Sequence, residues 1–77
     1  MRSIVKVKRL EVNMRLMELE RRKLGKTQSE IGEIAGVDPS YICRAERHGM
    51  VYDKHLERIA AALGWKRNPK ELLEEVR

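Results

Sequence analysis

Thr27-Gln28-Ser29-Glu30-Ile31-Gly32-Glu33-Ile34-Ala35-Gly36-Val37-Asp38-Pro39-Ser40-Tyr41-Ile42-Cys43-Arg44-Ala45-Glu46 holds two helix starts separated by a glycine stop. Thr27 and Glu30 have capping-box spacing, in which hydroxyl and carboxylate each satisfy a backbone N–H that the first helical turn leaves unpaired. Gly36 can take the left-handed conformation that ends a helix. Asp38 then Pro39 opens the next one: the carboxylate caps, and the proline stands where its missing N–H is not needed. The segment predicts helices over 28–35 and 39–47 joined by a sharp turn. Gly32 falls where the second helix must cross closely, while Ile31, Val37, Ile42 and Ala45 anchor the pair to a core.

The flanking sequence extends the same pattern. From about Leu10 the apolar residues Leu10, Met14, Met17 and Leu24 recur at helical spacing, interrupted by Arg21 and stopped at Gly25. Downstream, Asp53 is placed to cap a fourth helix bearing Leu56, Ile59, Ala60 and Leu63, which Gly64 closes. Asn68-Pro69-x-Glu71 repeats the start signal for a short last helix with Leu72, Leu73 and Val76. The expectation is an all-α, compact five-helix domain over residues 10–77. Residues 1–9 form an extension, with Ser3-Ile4-Val5-Lys6-Val7-Lys8 suited to a flexible arm or to a strand that pairs with a second copy.

Length and composition narrow the function. Seventy-seven residues make one small domain, and the single cysteine rules out a disulfide framework within one chain, which fits a reducing, cytoplasmic setting. The apolar residues near the N-terminus are too few and too interrupted by charge for a signal or membrane segment. Net charge is +5, and nine of the 17 Lys and Arg side chains lie in residues 1–26 against three of the 12 carboxylates. Such a field attracts phosphate backbones and anionic membranes alike.

On a helical wheel of 39–47, Ile42, Ala45 and Glu46 point inward, while Ser40, Arg44 and Arg47 lie about 140–200° around. Tyr41 and Cys43 flank that outer stripe. A hydroxyl and two guanidiniums on a helix with a free N-terminal end suit a major groove, where arginine forks onto guanine and serine serves several bases. The plainer alternative is a solvated face. Glu46, turned inward, needs a cationic or N–H partner, expected from an arginine of the first helix.

The pattern Thr-Gln-x-x-Ile-Gly-x-x-Ala-Gly-Val-x-x-x-Tyr-Ile-x-x-x-Glu, followed by Leu56-x-x-Ile59-Ala60-x-x-Leu63-Gly64, resembles the helix-turn-helix of the lambda-repressor-like, Cro-type transcriptional regulators. The resemblance covers about residues 14–73. It implies a compact five-helix fold and a homodimer on an inverted-repeat operator. It also implies Pro39, Ser40 and Arg44 at base-reading positions, and Gln28, Tyr41 and Arg47 at phosphates. Lys26, which replaces a common leucine, joins the basic surface and the phosphate-gripping set. Gly32 departs from a usual alanine, which lowers helix propensity by roughly 1 kcal/mol. Pro39 replaces a frequent glutamine and cannot make its bidentate adenine contact. The loop after Glu46 also departs, with Tyr52 near a customary proline.

The expected function is therefore a sequence-specific regulator of transcription, acting by occupancy as a stand-alone module that blocks or recruits polymerase according to where its operator lies, with repression the favoured outcome. The competing reading is a protein-interaction module, such as the antitoxin of a toxin pair or an adaptor, with Ile4, Val5, Val7, Leu72, Leu73 and Val76 as its apolar surface. No nucleophile–base set, phosphate loop or paired inward carboxylates can be assembled, so no enzyme and no cofactor are expected. His48 and His55 lack metal-ligand spacing. Cys43 borders the arginine-bearing face, a setting that favours thiolate, but it reads more simply as a small residue at a tight contact. Trp65 is expected as a lid on the fourth helix, and one Trp with two Tyr is too few for a single-strand stacking platform.

Overall fold

The capping box forms as its residues require: Glu30 N–H donates to Thr27 Oγ1 at 3.1 Å and Thr27 N–H donates to Glu30 Oε1 at 2.8 Å. From it runs α2, Gln28–Ala35, ended by Gly36 at φ +75°. The N–H groups of Gly36 and Val37 both return to Gly32 O, at 2.8 and 3.0 Å, so the turn reverses the chain without orphaned donors. Asp38 caps α3, Pro39–His48, by accepting from Ser40 N–H at 2.9 Å. The computed structural model describes residues 14–76, so the expected extension over 1–9 and the residues from Leu10 to Asn13 lie outside the described residues.

Around this pair stand α1, Leu16–Lys23, and α4, Asp53–Leu63, followed by a 3₁₀ helix, Pro69–Leu73. The described residues are thus all-α, with four α-helices and a 3₁₀ turn in place of five helices. Asn68 does cap the last element, accepting from Lys70 N–H at 3.0 Å. Only five residues long, it closes with i to i+3 bonds and gives way to extended backbone at Glu74, ψ 143°.

Two other boundaries differ from expectation. α1 does not run through Met14, because Arg15 is extended (φ −76°, ψ 153°) and pairs antiparallel with Glu75. Leu16 N–H donates to Glu74 O and Val76 N–H to Met14 O, both at 2.8 Å, a tertiary pairing that helical periodicity cannot register. Asp53 is the first residue of α4 rather than its cap; Tyr52 holds the cap position without a side-chain bond, leaving Asp53 to favour the positive helix end by charge.

The core is Met17 from α1, Ile31 from α2, Ile42 and Ala45 from α3, Leu56, Ile59, Ala60 and Leu63 from α4, and Leu72. Leu24, expected among these, is 50% exposed because it lies in the turn beyond the last residue of α1. Trp65 packs against the core as a half-buried lid and its indole N–H donates to Asn68 O at 3.0 Å. α2 packs on both α3 and α4, so it is α2 that ties the helix pair to α4.

Candidate nucleic-acid interface

One face of α3 is sealed and the other is open. Ile42 and Ala45 have no exposed surface and Glu46 has 5%, while Ser40, Arg44 and Arg47 are exposed and Pro39, Tyr41 and Cys43 are half-buried. The wheel places all of these but Pro39, which it leaves unassigned, on the side where each stands. The close crossing at Gly32 is tighter than spacing alone suggests: a Cβ there would lie 2.7 Å from Val37 O. That contact accounts for glycine at this position despite its poor helix propensity.

Glu46 organises the inner side. Its carboxylate accepts from Arg21 Nε at 2.7 Å and Nη2 at 3.1 Å, and from Gln28 Nε2 at 2.9 Å, joining α1, α2 and α3 at one buried point. The expected arginine of the first helix is thus Arg21, the residue that interrupts the apolar stripe. The hydrogen bond to Glu46 raises the Arg21 pKa above its ordinary value, against the opposing effect of burial. Arg21 Nη1 also donates to Lys26 O at 2.8 Å, which fixes the backbone of the loop carrying the exposed Lys26 side chain.

Gln28 is therefore not a free surface amide. It is half-buried with one donor directed at Glu46, and only its second N–H and its carbonyl remain for an outside partner. Tyr41 is also partly engaged, its ring centroid 4.6 Å from that of His55 and 6.4 Å from that of Tyr52. The Asp38 carboxyl is held below its usual range by the Ser40 backbone N–H, so the cap stays ionised at the head of α3.

Charge availability separates the basic residues. Arg22 is paired with Glu18 at 2.6 Å and Lys23 with Glu20 at 3.1 Å along α1. Among the described residues Lys26, Arg44 and Arg47 form no ion pair, nor do Lys54, Arg58, Lys66 and Lys70 outside α2 and α3. With no carboxylate to displace, Lys26, Arg44 and Arg47 stand ready for an external anion.

No family model, no curated protein and no solved structure matches the chain.

Arg15 is a residue that sequence reasoning missed. Its Nη1 donates to the carbonyls of Glu46 and Arg47 at 3.2 and 3.1 Å, and its Nε donates to Leu73 O at 3.1 Å. It thereby satisfies the last carbonyls of α3 and places a positive charge at the negative end of that helix. An isolated arginine between Met14 and Leu16 carries no local signal for that role; only the pairing of 14–16 with 74–76 delivers it there. Among the described residues no helix is long and apolar enough to cross a membrane.

Proposed function

We propose that the chain is a sequence-specific, double-stranded-DNA-binding transcriptional regulator of the lambda-repressor-like helix-turn-helix kind, acting as a homodimeric repressor on an inverted-repeat operator. The observation that carries this reading is the division of α3: one side locked to the core by Ile42, Ala45 and the Glu46 network, the other exposing Ser40, Arg44 and Arg47, with neither guanidinium in an ion pair among the described residues. Ser40 and Arg44 read bases, with Arg44 forking onto guanine, and Pro39 offers apolar contact to a thymine methyl. Lys26, Tyr41 and Arg47 grip phosphates, and Gln28 adds its remaining amide hydrogen while holding Glu46. Phosphate contacts set register, and base contacts set sequence. Occupancy of the operator blocks polymerase.

Selection of bound sites from a random duplex library tests this directly. The expected result is a two-fold symmetric site whose half-sites are spaced by about one helical turn. On that site Arg44→Ala loses about 1–3 kcal/mol and relaxes preference at one base pair. Lys26→Ala weakens all duplexes alike and lowers the salt slope by about 1. An unenriched library, or equal losses from both variants on operator and random duplex, would defeat the reading.

A further inference from the structure

Beside Arg44 the surface is hollowed. Tyr41, Arg44, Met50, Val51 and Tyr52 line a cleft of about 200 Å³. A cavity of about 150 Å³ is enough to take up a benzene ring, so this one admits a single-ring ligand with a small substituent. Tyr52 and Met50 are 65% and 60% exposed, so neither is consumed by the core. The Tyr41 and Tyr52 rings are inclined at 59°, and His55 backs them both, its centroid 4.6 and 5.5 Å from theirs. Arg44 reaches over the Tyr41 ring, 6.0 Å from its centroid, and among the described residues no carboxylate lines the cleft.

We propose that this cleft binds a flat aromatic carboxylate, its ring against Tyr41, Tyr52 and Met50 and its charge on Arg44. Tilted aromatic walls and a thioether favour a planar π-system over an alkyl body. The unpaired guanidinium, in a cleft without competing acids, selects an anion whose two oxygens match its fork. Neutral rings miss the second term and aliphatic acids the first. Arg44 cannot serve a ligand and a base edge at once, so occupancy of the cleft competes with DNA. That consequence, unlike the binding itself, rests on the function proposed above.

Nuclear magnetic resonance of the full chain titrated with benzoate tests the binding without DNA. Saturable shifts are expected at the Met50 methyl and at the Tyr41 and Tyr52 rings, in the millimolar range appropriate to so small a ligand. Benzamide and cyclohexanecarboxylate should each bind about tenfold more weakly, a difference set by the charge-assisted bond and the ring contact respectively. Tyr52→Leu should abolish the preference for benzoate over cyclohexanecarboxylate, and Arg44→Gln the preference over benzamide. Non-saturating shifts, equal binding of the three probes, or shifts confined to other basic residues would overturn the proposal. In a second arm, benzoate should weaken duplex binding by the wild-type chain, and about tenfold more benzoate should be needed for the same effect on Tyr52→Leu, still folded and DNA-competent. Benzoate binding without any duplex binding would sink the regulator reading and keep the cleft. Duplex binding indifferent to saturating benzoate would sink the competition.

Discussion

At the scale of single residues, Gly32 and Asp38 have opposite sensitivities. Alanine at position 32 would gain roughly 1 kcal/mol of intrinsic helix propensity. Its Cβ would also sit 2.7 Å from a backbone oxygen, an atom that cannot swing aside as a side chain would. Overpacking of that kind costs typically about 1–3 kcal/mol, so the clash wins. Gly32→Ala is expected to lower the thermal midpoint, and an unchanged or raised midpoint would show that the turn yields. Asp38 responds to pH instead. Its folded pKa lies below the ordinary aspartate value, so its contribution is present above that value and lost as pH falls through the lower folded pKa. Asn caps nearly as well but cannot ionise. The advantage of the wild type over Asp38→Asn should therefore be largest near neutrality and vanish in acid, as read from thermal midpoints across pH. A constant offset at all pH values would remove the carboxylate's role.

At the scale of elements, the joint between α1, α2 and α3 is ionic. Arg21 and Glu46 have side-chain exposures of 11% and 3%, so each holds the other's charge out of water. Removing one partner of a buried pair costs about 3–5 kcal/mol, a large share of a stability of roughly 5–15 kcal/mol, because the survivor is stranded. Arg21→Ala should accordingly unfold at much lower denaturant than Arg21→Met/Glu46→Met, in which apolar volume replaces both charges. If single and double variants unfold alike, the pair does not act as a unit. The elements were legible wherever a local rule fixed them: the Thr27–Glu30 box, the Asp38-Pro39 start and the inward turn of Glu46 all stand in the structure as the sequence implies. What was not legible depends on contacts distant in sequence. The extended backbone at Arg15 and its α3-capping guanidinium both answer to the pairing with 74–76, and the stacking of Tyr41, Tyr52 and His55 follows from how α3 meets the start of α4. Gln28 was placed on the right helix but not on Glu46, since a helical wheel does not show which neighbour claims an amide.

For the whole molecule, the uneven charge separates general from specific attraction. α3 and its turn carry few net charges, whereas Arg2, Lys6, Lys8 and Arg9 lie in the N-terminal segment outside the described residues. On a duplex each phosphate neutralised releases counterions and adds about 0.9 to the slope of log affinity against log salt. That term is blind to sequence. Under the proposed function, base discrimination resides in Ser40 and Arg44, on a helix fixed by Glu46 and Arg15. Replacing Arg2, Lys6, Lys8 and Arg9 together by Gln should therefore leave the operator-to-random ratio nearly unchanged. Affinity for every duplex should fall, and the salt slope should drop by about one for each lost phosphate contact. Duplex titrations at several salt concentrations, on operator and random sequence, provide both numbers. A fall in the ratio with the slope unchanged would mean that the segment reads bases, and would move specificity away from α3.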